Sequence, residues 1–140
     1  MKAPVLISVD RPAEEFAPLF AAAKAAGLRV GWLALNVSVD PPAPLQAPPL
    51  LEAFRAVAVG DGRSVAMKPM KGKAVLRDLL REYFLGADVV LVAGLELFPR
   101  LAARGEGPWK LEESAAASRS YSTEELLVRL RKPALRWQKD

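Results

Sequence analysis

Apolar positions along this chain fall into short runs of β-branched residues that alternate with stretches of helical period, and the alternation predicts an α/β fold. Pro4 to Val9 is the first such run, and it ends at Asp10, whose carboxylate is expected to cap the segment that follows. From Arg11 to Ala26, Phe16, Leu19, Phe20 and Ala23 recur at helical spacing. Glu14 and Glu15 lie near the positive end of the dipole, and Gly27 is the stop. Pro18 conflicts with a helix running through it, because it lacks an amide donor and its ring meets the preceding turn. Either the first turn is irregular or the regular helix begins near Pro18. Leu28 to Leu35 is almost continuously apolar, as expected of a strand covered on both faces of a parallel sheet.

Pro41, Pro42, Pro44, Pro48 and Pro49 then interrupt regularity, so 36–49 is expected to run extended as a surface strap or a lid. A short helix is expected over 50–54. Residues 55–59 and 64–68 alternate about Gly60-Asp61-Gly62-Arg63, which is a hairpin signal. Lys73 to Leu85 places Leu76, Leu79, Leu80 and Tyr83 on one helical face between Gly72 and Gly86. Val89 to Val92 is a buried strand by composition, and Gly94 precedes a helix expected over 95–103. Trp109 to Glu113 and Ser118 to Tyr121 are expected to pair as short edge strands. Ser122-Thr-Glu-Glu125 is a capping box, which predicts a last helix running to about Lys132 and ended by Pro133.

Strands separated by helical segments predict a single domain over 1–132, followed by a basic tail over 133–140. The expected architecture is a three-layer, mostly parallel sheet with helices on both faces, Rossmann-like or flavodoxin-like, with a β-hairpin near 55–68. At 140 residues such a domain can stand on its own core. No apolar run approaches the roughly 18 residues of a membrane-spanning helix, and the amino-terminal residues do not read as a secretory signal. The expected compartment is the cytoplasm, which the absence of cysteine suits.

Composition removes whole classes of chemistry. With neither histidine nor cysteine, Ser-His-Asp triads, Cys-His pairs and the zinc sites built from those ligands are excluded. Asn36 is the only asparagine and Gln46 and Gln138 the only glutamines, a depletion expected of a heat-adapted protein and also produced by GC-rich coding. Net charge is +4, a mild excess that attracts anions.

That charge is unevenly spread. Lys68, Lys71 and Lys73 lead through Gly72 into the helix that carries Arg77 and Arg81, and steps of four residues would align Lys73, Arg77 and Arg81 along one flank. A helix opened by Gly72 would offer free amides to a phosphate, with the lysines adding charge. Asp78 and Glu82 on the same surface equally suit a solvated face of mixed charge. Neither nucleotide motif is present: Ala74 follows Gly72-Lys73 where a P-loop needs Ser or Thr, and Val65 stands where a dinucleotide fingerprint needs its third glycine.

Asp10, Asp61 and Glu96 form a second set, since carboxylates at the ends of adjacent parallel strands could hold Mg²⁺ with water. The structural alternative makes Asp10 a helix cap, Asp61 a turn residue and Glu96 the start of a helix. At the carboxyl end, Arg131, Lys132 and Arg136 surround Trp137, a mixture that can contact phosphates and stack on bases, or can fold back onto the domain or a partner subunit. The preferred expectation is a non-catalytic module for a phosphorylated small molecule or nucleotide. The alternatives are a nucleic-acid-binding protein using the basic stripe and tail, and an interaction protein forming a homodimer. No cofactor is indicated, and no recognised catalytic motif points to an enzyme.

Overall fold

The computed structural model describes residues 3–70, 72–73, 75–102 and 107–131. The chain divides into two compact units, one formed by Met1–Val37 with Glu82–Asp140 and the other by Ser38–Arg81.

The first unit is built on a six-stranded sheet. Strands β1 (Val5–Val9), β2 (Val30–Ala34), β5 (Val89–Ala93) and β6 (Arg100–Ala102) run parallel, and β7 (Trp109–Ser114) and β8 (Ala117–Tyr121) complete it as an antiparallel meander. The order is β2-β5-β1-β6-β7-β8, so β5 is inserted between the two strands that the first helix connects. Val5 pairs with Val89 and Val9 with Ala93, which brings β1 and β5 to a common carboxyl edge.

One face of this sheet, with Ile7, Val9, Val89, Leu91, Leu101 and Leu111, shares a core with α1 (Ala17–Ala25) and α3 (Thr123–Leu130) through Leu19, Ala23, Leu126, Leu127 and Leu130, and with Phe16 in the turn just before α1. Phe16 is wholly buried. Its ring stacks on Trp109 at 5.7 Å and tilts against Trp32 at the same distance. Each such side chain contributes roughly 1.5–3 kcal/mol by leaving water. On the opposite face Leu6, Ser8, Val90 and Val92 are also buried, and the ring of Phe84 lies over Gly31 so closely that a Cβ there would stand 2.7 Å from it. The fold class is the expected three-layer, mostly parallel α/β arrangement.

Several local expectations hold. The Pro18 conflict resolves as a 3-10 turn over Ala13–Phe16 followed by a regular helix with proline in its first turn, where the missing amide costs nothing. The β7 and β8 strands pair with Trp109 opposite Tyr121, and the Trp109 indole donates to the Thr123 hydroxyl at 2.9 Å. Ser122 and Glu125 close both halves of the capping box.

Hydrogen bonds from Ser122 hold the Glu125 carboxyl below its ordinary range. A depressed folded-state value stabilises the fold above the unfolded pKa, and that contribution disappears as pH falls through the folded one. Glu125→Ala is therefore expected to lower the melting temperature at pH 7, with a smaller difference from the parent at pH 3. Equal differences at both values would refute the assignment.

Other expectations need correction. No helix forms over the described part of 95–103: Gly94 has φ 90° and Pro99 lacks a donor, so only four residues separate two helix breakers, and β6 follows at once. Strand β2 is half-buried rather than covered on both faces, because it lies at the edge of the sheet. Asp10 caps nothing: the 3-10 turn begins after Pro12 with no side-chain cap bond.

The second unit, taken alone, contains a two-stranded antiparallel ribbon, β3 (Ala56–Gly60) and β4 (Arg63–Met67), closed by Asp61-Gly62 with Gly62 at φ 78°. Two 3-10 turns, Ala43–Leu45 and Pro48–Glu52, interrupt the strap expected over 36–49, and the second overlaps the short helix expected over 50–54. Prolines sit in the first turn of each, and Leu45 is buried. Helix α2 (Leu76–Tyr83) runs across the boundary between the units in sequence.

Candidate functional site

The carboxyl edge of the parallel strands is shaped by close backbone approaches. After β5, Gly94 turns at φ 90° against the end of β2. A Cβ on it would overlap the Leu35 carbonyl oxygen and lie 3.0 Å from the carbonyl carbon, so only glycine fits. Leu35 donates its amide to the Ala93 carbonyl at 2.9 Å, and Asn36, itself in the left-handed region at φ 58°, donates its side-chain amide to the Gly94 carbonyl at 3.3 Å. From there 94–99 crosses β1 to reach β6. Ser8, the buried polar residue of β1, donates its hydroxyl to the Leu95 carbonyl and its amide to the Pro99 carbonyl.

The parallel pairing of β1 and β5 places Asp10 and Glu96 beyond the same edge, as expected, and both are exposed. Arg11, beside Asp10, is paired with Glu15 at 2.8 Å. Glu96 lies in the β5–β6 crossing and starts no helix. Asp61 is a turn residue of the second unit. Among the described residues no group of three or more acidic side chains could hold a metal ion. The edge was legible only in part: Gly94 after an apolar run marks a turn, but nothing in the sequence reveals the acceptor that Ser8 meets.

The basic segment lies within the second unit. Lys68 directly follows β4 and is half-buried, while Lys73, Arg77 and Arg81 are exposed. Lys71 lies outside the described residues. Gly72 has φ 68° and does not open the helix, which starts four residues later at Leu76; the Leu79 amide donates to the Val75 carbonyl to close its first turn. A left-handed glycine cannot be the first helical residue, and β-branched Val75 adds a second delay. Lys73 is accordingly not on the helix, and only Arg77 and Arg81 share a flank one turn apart. In the tail group, Arg131 donates to the Ala26 carbonyl at the end of α1, a structural bond. Lys132, Arg136 and Trp137 lie outside the described residues.

No protein-family model matches the chain, and no curated protein matches it. Two solved structures are similar. One is a MobB protein homolog from Bacillus stearothermophilus, at 24% identity and TM-score 0.45, with 68% of this chain and 59% of that chain covered. The other is Bacillus subtilis MobB, at 17% identity and TM-score 0.50, with 69% and 65% covered. The chain thus spans less than two thirds of the length of either. The second likeness is one of fold, and it agrees with the parallel α/β sheet described above.

Proposed function

We propose that this protein is a binding module for a phosphate-bearing ligand, with the cations of the second unit as its contacts. The observation that supports this is the local imbalance of charge. Between Arg63 and Arg81 stand Arg63, Lys68, Lys71, Lys73, Arg77 and Arg81 against one acid, Asp78. Arg63, Lys73, Arg77 and Arg81 are exposed, so a ligand can reach them without opening the fold. Guanidinium and ammonium groups form charge-assisted hydrogen bonds with phosphate oxygens, the strongest polar contacts available to a chain without histidine.

A titration panel of inorganic phosphate, sugar phosphates and nucleoside mono-, di- and triphosphates tests the reading. At least one ligand is expected to raise the melting temperature, and the Lys73→Ala/Arg77→Ala/Arg81→Ala variant is expected to lose about tenfold or more in affinity for it, equivalent to about 1.4 kcal/mol. A panel in which no phosphate compound stabilises the parent protein removes the proposal.

A further inference from the structure

The ribbon of the second unit has an outward face that its surroundings do not account for. Cross-strand register places Ala56, Ala58, Val65 and Met67 on one side, where Ala56 is buried, Ala58 and Met67 are half-buried and Val65 is 37% exposed. Val57, Val59, Ser64 and Ala66 occupy the other side, with Val57 58% and Val59 80% exposed. A ribbon with one face in water normally alternates apolar inward and polar outward. Here three of four outward positions are apolar.

Cations flank this face. Arg55 and Lys68 stand opposite each other one step beyond the Ala56–Met67 pair at the open end, in phase with this face, whereas Arg63, paired with Gly60 beside the turn, belongs to the other side. Next to Arg55 the ring of Phe54 is 80% exposed, with the guanidinium 4.9 Å from its centroid.

We infer that this ribbon face docks on an anionic lipid surface, the valines and Phe54 entering the boundary of the acyl region while Arg55 and Lys68 meet headgroup phosphates. The inference rests on the phosphate-binding reading above and names its ligand. Size argues against a second copy of the chain as occupant. Five residues of strand span roughly 17 Å, and two strands give a face on the order of 200 Å², far short of the roughly 800 Å² per partner of a stable dimer. Chemistry argues against base-edge reading of nucleic acid, because Ser64 is the one outward hydrogen-bonding side chain between the strand ends. A bilayer needs neither a large complementary area nor a fixed donor pattern, since binding scales with apolar insertion and with attraction to anionic lipid.

Co-sedimentation of the full chain with vesicles tests the proposal. Binding is expected to mixed phosphatidylglycerol–phosphatidylcholine vesicles and to be weak or absent with phosphatidylcholine alone. Val57→Asp/Val59→Asp is expected to weaken it by at least about tenfold, since apolar insertion drives it. Arg55→Gln/Lys68→Gln is expected to weaken it by about fivefold for each cation removed. Val57→Ser/Val59→Ser, a milder change, repeats the first result should the aspartate variant misfold by circular dichroism. Vesicle binding untouched by the valine substitutions overturns the inference. So does binding of a duplex oligonucleotide, dependent on the same cations, without vesicle binding. Phosphate compounds that bind while vesicles do not remove the lipid assignment alone; failure of both removes the phosphate-binding reading as well.

Discussion

Gly94→Ala is expected to be among the most damaging single methyl additions to this protein, with a stability loss on the order of 4 kcal/mol. Left-handed backbone geometry alone costs an alanine roughly 1–2 kcal/mol, and φ at Gly94 is 90°. The larger part comes from the obstacle. The new methyl would overlap the Leu35 carbonyl oxygen, a main-chain atom held in place by the β2–β5 ladder and by the Leu35 amide bond to Ala93. Relief requires β2 and β5 to separate at their carboxyl ends. Gly31→Ala serves as a control, because its obstacle is the Phe84 ring, a side chain that can rotate away. Chemical denaturation of the two variants is expected to rank Gly94→Ala well below Gly31→Ala, and equal losses would refute the assignment of the cost to main chain.

Phe16→Ala is expected to cost about 3–5 kcal/mol, the range for emptying a large aromatic site in a core. Phe16 is completely buried between Trp32 and Trp109, and it belongs to a 3-10 turn rather than to a long helix, so the cavity is bordered by rigid rings that close over it poorly. At roughly 3 °C per kcal/mol for a chain of this length, a fall of about 10 °C in melting temperature is expected. Phe16→Leu, which refills part of the volume, is expected to lose less than half of that; a Phe16→Ala variant melting within 3 °C of the parent would contradict the packing described.

These two positions also show what could be read from sequence. Phe16 was visible as one of a set at helical spacing, and its burial followed from that period. The strands around Ile7 and Leu91, the Asp61-Gly62 hairpin and the Ser122 capping box were legible for the same reason, since each is specified within a few neighbouring residues. Strand order was not, because the insertion of β5 between β1 and β2 depends on contacts more than fifty residues apart in sequence. The helix expected over 95–103 failed where two local breakers, Gly94 and Pro99, outweighed the apolar residues between them. In the basic segment the residue types were readable but their placement was not: the positive φ of Gly72 moved the helix start to Leu76 and took Lys73 off the stripe. The outward valines of the ribbon lay hidden in a simple alternation, which tells that two faces differ without telling which one meets water.

The manner in which the β5–β6 crossing is fastened bears on how this protein can vary over evolution. Its anchors to β1 are the carbonyls of Leu95 and Pro99, which every amino acid possesses, whereas the hydroxyl that seeks one of them belongs to Ser8 alone. Divergent copies of the chain can therefore rewrite the side chain at 95 while keeping the same connection, and mutational constraint is concentrated instead on the strand beneath it.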